Sequence, residues 1–234
     1  MLSDSAGLRI QPHWPRLSFL PAQPDLYDDA FKGIVSRPPT WVPADPLLRD
    51  AMDLPTYTGD GQREAARALF HLPPGDTLIA NLPTGSGKSL LAQLPPLIEP
   101  EGLLTLAIVP TVALAIDQAA RMRALLQRRY PHRDLPPLAF HGGLTPDNRV
   151  TVLRAIRQGA QPILFTSPEY AVGGLRDVLE GAAANGRLNR VVIDEAHLVI
   201  GWGNGFRPAF QLLPALVGML RDRAPSRELR VVLA

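Results

Sequence analysis

The sequence predicts an α/β fold, with a mostly parallel central sheet flanked by helices. Short runs that are apolar throughout alternate with amphipathic stretches from about residue 55 onward. A strand with two apolar faces must be covered on both, as in a parallel sheet between helices. A glycine-rich turn follows one apolar run and an acidic pair follows a later one. Both positions are typical of this architecture, because ligands bind where its strands end.

The composition indicates a globular protein. The 234 residues are 46% hydrophobic and 20% charged, with a formal net charge of +2. This balance excludes a disordered chain and a strongly basic tail, but not a local basic groove. The absence of cysteine excludes disulfides and cysteine-ligated zinc. No signal-peptide pattern and no run long enough to span a bilayer are present, so we expect a soluble, cytoplasmic protein.

Two regions differ in composition. Residues 1–54 contain frequent prolines, which exclude long helices, and scattered aromatic side chains. We expect a Pro-rich, irregular extension whose aromatic residues pack on the main domain; an arm that binds nucleic acid or a partner is the alternative. Residues 55–234 carry the α/β alternation and are predicted to form the main domain.

The helices and strands of the main domain are predicted from the periodicity of apolar residues and from residues that start or stop helices. Thr145, Pro146 and Asp147 form a helix start, and Gly159 a helix stop. His141 precedes two glycines and is interpreted as shaping a turn. The predicted strands are 76–81, 103–109, 138–140, 163–166, 191–194 and 229–233. One predicted helix begins at Lys88, and the others span 111–129, 145–158, 173–184 and 207–222. Because a central strand ends the chain, we expect the domain to continue beyond Ala234.

The glycine-rich turn is typical of a loop that binds phosphate. Gly85 and Gly87 would let the backbone approach phosphate without a Cβ, at the positive end of a helix. Lys88 would reach the β- and γ-phosphates, and the Ser89 hydroxyl would bind magnesium. The residues predicted to contact the nucleotide here are Pro83, Thr84, Gly85, Ser86, Gly87, Lys88 and Ser89.

The acidic pair follows the strand that ends at Ile193. Asp194 would hold magnesium, usually through water, while Glu195 would orient and deprotonate an attacking water. His197 would lie near the γ-phosphate and could relay its presence to a nucleic-acid surface. A solvated strand terminus is the alternative for a lone acidic pair, and the phosphate loop disfavours it.

These residues resemble the superfamily 2 helicases, and within them the RecQ-like DNA helicases, over about residues 54–234. The phosphate loop is similar to helicase motif I, and residues 194–197 are similar to motif II, the DEAH box. The strict phosphate-loop pattern has a glycine five residues before Gly87, where this chain has Leu82; this variation is typical of helicases rather than small GTPases. The resemblance implies a RecA-like P-loop NTPase domain.

Three further segments extend the resemblance. Residues 109–118 are similar to motif Ia, residues 166–169 to motif Ib, and residues 201–210 to the aromatic-rich loop of RecQ proteins. Aromatic and arginine side chains in that loop could stack on unpaired bases; core packing is the alternative. The family's usual His-Asp is Asn204-Gly205 here, so we expect a different coupling of DNA binding to hydrolysis. The resemblance implies nucleic-acid contacts by Thr111, Thr166, Ser167, Pro168, Glu169, Trp202, Phe206 and Arg207.

The adenine-reading motif of the family is only partly matched. Gln62 fits its glutamine and could read the adenine edge, since an amide both donates and accepts. Thr58-Gly59 stands where an aromatic-arginine pair is expected, so stacking on the base would require another group, such as Tyr57 or Arg63. The alternative is that Gln62 is a surface helix residue.

The resemblance implies a motor that uses ATP and Mg²⁺ to move 3′ to 5′ along single-stranded or forked DNA, at work on the bacterial nucleoid. A second RecA-like domain, not in this chain, would supply an arginine finger. We therefore expect these residues alone to hydrolyse ATP poorly and not to unwind DNA. The alternatives are an RNA helicase, a duplex DNA translocase, or a nucleotide-dependent scaffold or switch with vestigial hydrolysis.

Overall fold

The computed structural model describes residues 2–4, 7–9, 40–83, 85–198 and 208–234. The chain divides into two compact units, residues 1–38 and 39–234. In the first unit, β1 (Leu2–Asp4) and β2 (Gly7–Arg9) form an antiparallel pair. The remaining aromatic residues of the predicted extension, Trp14, Phe19, Tyr27 and Phe31, lie outside the described residues.

The second unit contains a six-stranded sheet in which every neighbouring pair is parallel. Its strands are β5 (Thr77–Ile79), β6 (Leu104–Ile108), β7 (Ala139–Phe140), β8 (Ile163–Thr166), β9 (Leu188–Ile193) and β10 (Arg230–Leu233). They lie side by side in the order β5-β10-β9-β6-β8-β7. A separate antiparallel pair joins β3 (Val42–Pro43) to β4 (Thr56–Tyr57).

Helices connect the strands, and most predicted boundaries hold. They are α1 (Pro46–Met52), α2 (Asp60–His71), α3 (Leu90–Gln93), α4 (Pro95–Ile98), α5 (Val112–Arg129), α6 (Pro146–Gln158), α7 (Pro168–Val172), α8 (Arg176–Ala184) and α9 (Pro208–Arg223). The Thr145 hydroxyl caps α6 by accepting from Asn148 N, and Gly159 ends it with φ of 75°. The helix predicted from Lys88 instead begins at Leu90 and breaks at Leu94, because two prolines follow without backbone N–H groups.

Both faces of the sheet are covered by apolar side chains, as the uniformly apolar strands predict. Successive strand residues point to opposite faces, so Val191 and Val192 enter different cores. One core contains side chains of α1 to α5, including Leu48, Leu69, Leu91, Leu97 and Met122. The other contains side chains of α6 to α9, including Val152, Ala171, Leu179, Phe210 and Leu220.

Residues 40–54 pack with the second unit. Leu48 and Met52 of α1 lie in its core, and Asp50 forms an ion pair with Arg129 of α5 at 2.8 Å. The domain boundary after residue 54 stays a prediction, but this part of the extension belongs structurally to the larger unit. Trp41 is 62% exposed, so the expectation that it packs on the main domain is wrong.

A buried ion pair lies at the amino end of β9, opposite the end that carries the acidic pair. The Arg190 side chain is 2% exposed, and its guanidinium lies 2.6 Å from Glu99 Oε1. Asn189 donates to the other Glu99 oxygen at 2.9 Å, and Arg230 donates to Asn189 at 2.8 Å. Burial lowers the pKa of Arg190, and the Glu99 carboxylate opposes that shift.

Glu99→Gln is expected to lower the free energy of unfolding by about 3 kcal/mol, because it leaves the buried Arg190 charge without a counter-charge. Chemical denaturation followed by circular dichroism measures this loss. The double variant Glu99→Leu, Arg190→Met is the control, since it removes both charges and should recover most of the stability. A loss below about 1 kcal/mol for Glu99→Gln would contradict the expectation that Glu99 compensates this charge.

Within the described residues, no helix combines the length and the apolar character required to cross a membrane.

Candidate functional site

The carboxyl ends of β5, β6, β9 and β10 meet at one edge of the sheet, and a small cavity lies there. The phosphate loop follows β5, while the acidic pair directly follows β9. The lining of the cavity includes Lys88, Ser89, Val109, Gln118, Asp194 and Ala234. Residues more than 100 positions apart in sequence therefore come together at this edge, as the strand ends predict.

The phosphate loop depends on two glycines. Gly85 and Gly87 have φ of 81° and 77°, a left-handed conformation that side chains disfavour. Ser86 bonds back to Pro83 O through both its N–H, at 3.2 Å, and its hydroxyl, at 2.6 Å. The loop is therefore folded back on itself before α3 begins. Thr84 lies outside the described residues.

The acidic pair forms a tight turn after β9. The Glu195 N–H donates to Asp194 Oδ1 at 3.0 Å, and the Ala196 N–H donates to Ala234 O at 3.0 Å. Burial is the main cause that raises the pKa of Asp194, and the Glu195 charge raises it further. A nearby cation would therefore stabilise the ionised form of Asp194.

Glu195 contacts two other members of the predicted site. Its Oε2 atom lies 3.8 Å from Lys88 Nζ and 3.2 Å from His197 Nδ1. Its φ of 53° is unusual for a residue with a side chain, and such backbone strain clusters at functional sites. The His197 side chain is 71% exposed, which leaves it open to a further contact.

The donor set fits magnesium that arrives with a nucleotide. Mg²⁺ in such sites is held by one or two protein oxygens together with phosphates and water. Ser89 and Asp194 line the same cavity and could supply those oxygens. No group of three or more His, Asp or Glu side chains suited to a metal ion exists among the described residues. Within the part of the chain that the structure describes, these oxygens therefore do not belong to an all-protein metal cage.

Gln62 lies beside the phosphate loop rather than on an open helix surface. Its amide oxygen accepts from Thr58 N at 2.8 Å, and its amide nitrogen donates to Gly87 O at 3.1 Å. The amide that the sequence assigns to adenine is therefore bonded to the chain's own backbone in this structure.

The Tyr57 ring is not available to stack on a base. Its side chain is buried, and its hydroxyl donates to Asp45 Oδ2 at 3.1 Å. Burial, with this hydrogen bond, raises the pKa of Tyr57 to about 12. Arg63, the other stacking candidate, forms an ion pair with Asp60 at 2.8 Å.

The predicted nucleic-acid residues differ in exposure. Thr111 is exposed at the start of α5, where its hydroxyl accepts from Leu114 N at 3.2 Å. Thr166 is buried and donates to Phe140 O at 3.0 Å. Ser167 and Pro168 are also buried, whereas Glu169 is exposed. The buried members are therefore not open to a bound strand in this structure. Trp202, Phe206 and Arg207 lie outside the described residues.

Two functional candidates were not singled out from the sequence. The Thr58 hydroxyl lies 2.8 Å from Ser86 O in the phosphate loop. Gln118 lines the cavity and accepts from Gln93 Nε2 at 3.3 Å. Thr58 could have been found from its place in the incomplete adenine-reading motif. Gln118 could have been found because it is the last residue of the segment similar to motif Ia. The turn assigned to His141 is confirmed by a hydrogen bond from Gly143 N to its Nδ1, at 3.1 Å.

Residues 60–232 match the family model described as DEAD/DEAH box helicase. The ATP-dependent DNA helicase RecQ of Synechocystis sp. is 36% identical over 165 residues, which cover 66% of this chain and 32% of that protein. The ATP-dependent helicase SGS1 of Saccharomyces cerevisiae is 28% identical over 206 residues, which cover 81% of this chain and 13% of that protein. The chain thus spans a third or less of the length of these relatives.

Solved structures share the fold. The DUF1998 helicase MrfA bound to DNA aligns with a TM-score of 0.60 and 20% identity, over 85% of this chain and 28% of that one. The DEAD-box helicase Mss116 bound to ssRNA and UDP-BeF aligns with a TM-score of 0.58 and 19% identity, over 81% of this chain and 38% of that one. With the parallel sheet, these likenesses confirm the predicted RecA-like α/β fold.

Proposed function

Because the chain belongs to the DEAD/DEAH box helicase family, we propose that it is the ATP-binding motor domain of a RecQ-like DNA helicase. It binds ATP with Mg²⁺ and couples hydrolysis to 3′–5′ movement along single-stranded or forked DNA. The observation that carries this proposal is the meeting of Lys88 and Glu195 at 3.8 Å, beside the cavity that Ser89 and Asp194 line.

Each side chain of the site has a distinct role in this proposal. Lys88, a compact point charge, binds the β- and γ-phosphates and stabilises charge that develops during transfer. Ser89 and Asp194 hold the magnesium ion, which supplies charge neutralisation when bound. Glu195 orients the attacking water and accepts its proton, because its contact with Lys88 at 3.8 Å places the carboxylate close to where Lys88 binds the γ-phosphate.

His197 is proposed to sense the γ-phosphate. Its Nδ1 lies 3.2 Å from Glu195, and most of its side chain is exposed. A side chain that contacts the proposed general base, Glu195, and also reaches the surface can couple the state of the nucleotide to a bound strand. This role extends the relay assigned to the histidine of the DEAH box.

DNA is the proposed substrate, and the support comes from the sequence relatives. Those named above are a DNA helicase of Synechocystis and a helicase of yeast, although Mss116 shares the fold and was solved with ssRNA. Thr111 and Glu169 present exposed positions after strands β6 and β8. The aromatic-rich loop is proposed to complete the DNA surface, and a second RecA-like domain to supply the arginine finger.

The test measures ATP binding, single-turnover ATP hydrolysis and strand separation by this chain, with single-stranded DNA, forked DNA or RNA. We expect magnesium-dependent ATP binding, slow hydrolysis that DNA stimulates more than RNA, and no strand separation. Stimulation by RNA alone would favour an RNA helicase. ATP binding without hydrolysis under any of these conditions would favour a nucleotide-dependent scaffold.

A further inference from the structure

We propose that Thr58 is a positioning residue for the phosphate loop. Together with Gln62, it anchors two successive loop carbonyls, those of Ser86 and Gly87, and thereby turns the following N–H groups toward the phosphates. This inference rests on the proposed nucleotide binding and adds a residue to it. Thr58 occupies the place where the family resemblance leads one to expect an aromatic residue.

The contacts form a short chain of hydrogen bonds. The Thr58 hydroxyl lies 2.8 Å from Ser86 O and 3.1 Å from Gln62 Oε1. A hydroxyl has one hydrogen to donate, and the shorter distance assigns it to Ser86 O. Gln62 Oε1 already accepts from Thr58 N at 2.8 Å, so the amide is oriented with its nitrogen toward Gly87 O at 3.1 Å.

Anchoring a carbonyl also fixes the direction of an N–H group. In a planar trans peptide, the C=O of one residue and the N–H of the next point in opposite directions. The Ser86 carbonyl therefore sets the direction of the Gly87 N–H, and the Gly87 carbonyl sets that of the Lys88 N–H. Backbone N–H groups aimed away from these anchors are the donors that a phosphate loop needs.

The side chains of Thr58 and Gln62, which together form the anchor of the loop, pack so closely that only glycine fits at position 87. A Cβ atom on Gly87 would lie 2.2 Å from Gln62 Nε2 and 3.8 Å from Thr58 Oγ1. The left-handed φ of 77° excludes most other residues independently. Gly87 is therefore required both for the loop conformation and for the approach of Gln62.

The anchor is itself held rigidly. Thr58 directly follows β4, whose Tyr57 is paired with Val42 of β3. The Tyr57 ring is buried, and its hydroxyl contacts Asp45, which forms an ion pair with Arg67 at 2.8 Å. Tyr57, which is not available to stack on a base, thus fixes the position of Thr58, which contacts the loop.

The experiment compares binding of ATP and of tripolyphosphate, both with Mg²⁺, to the parent chain, Thr58→Val and Thr58→Ser. Valine keeps the shape but loses the hydroxyl, and serine keeps the hydroxyl. We expect Thr58→Val to weaken both ligands about 3- to 10-fold, the range for one hydrogen bond, and Thr58→Ser to stay within about twofold of the parent. Thermal melting of each variant checks that the fold is intact.

Each other outcome overturns a defined part of the proposal. Parent-like binding of both ligands by Thr58→Val would mean that the hydroxyl does not position the loop. Weaker binding of ATP but not of tripolyphosphate would assign Thr58 to the base. If Thr58→Ser folds but loses tripolyphosphate binding, the claim that the hydroxyl anchors the loop would be overturned, even if the valine variant fails to fold. Failure of the parent chain to bind either ligand would instead reject the proposed function.

Discussion

Glu195→Gln is expected to slow ATP hydrolysis by about 100-fold or more, with ATP affinity changed only a few-fold, because the carboxylate that accepts the proton is lost. Glutamine keeps the length of the side chain and can still occupy the position 3.8 Å from Lys88. Removing the negative charge also removes its competition with phosphate for Lys88. The expected result is therefore a protein that binds ATP and does not turn it over.

Single-turnover hydrolysis with excess protein, and separate titration of ATP, measure the two effects. Glu101→Gln is the matched control, because Glu101 is 77% exposed and forms an ion pair with Arg133 at 3.4 Å, away from the cavity. We expect that control to behave as the parent in both assays. Hydrolysis by Glu195→Gln within about threefold of the parent would contradict the assignment of Glu195 as the base.

Lys88→Ala is expected to weaken ATP binding about 10- to 100-fold, because it removes charge-assisted hydrogen bonds to the phosphates. The Lys88 side chain is only 16% exposed and points toward Glu195, so its charge acts in a partly desolvated site. Calorimetry or a fluorescent ATP analogue measures the affinity, and thermal melting without nucleotide checks the fold.

Lys88→Arg separates charge from shape. Arginine keeps the positive charge but presents a planar fork where the cavity holds a compact ammonium group, so we expect little recovery of affinity. Full recovery would show that charge alone is required. Parent-like affinity in Lys88→Ala would remove Lys88 from the nucleotide site altogether.

The sequence predicted the parts of the fold that depend on local chemistry. The cap at Thr145, the stop at Gly159 and the largely apolar β8 follow from residues within a few positions of each other. The strand that ends before Asp194 could be placed for the same reason. What the sequence could not give is the order of strands in the sheet, because pairing is decided by packing between distant segments.

The same distinction applies to the site. The phosphate loop and acidic pair could be found because each motif is contiguous. The contact of Gln62 with Gly87 joins residues 25 apart, and that of Thr58 with Ser86 joins residues 28 apart, so no local pattern reveals either. Burial of Tyr57 and Thr166 likewise depends on neighbours from other segments.

The left-handed backbone at Glu195 bears on how this protein could be engineered. Glycine or asparagine would adopt φ of 53° with less strain than glutamate, so the residue that favours stability there differs from the glutamate that we propose as the base. We expect a library selected only for heat resistance to drift toward such residues and to lose the proposed base. Selection schemes for thermostable variants should therefore hold position 195 constant while the rest of the chain is varied.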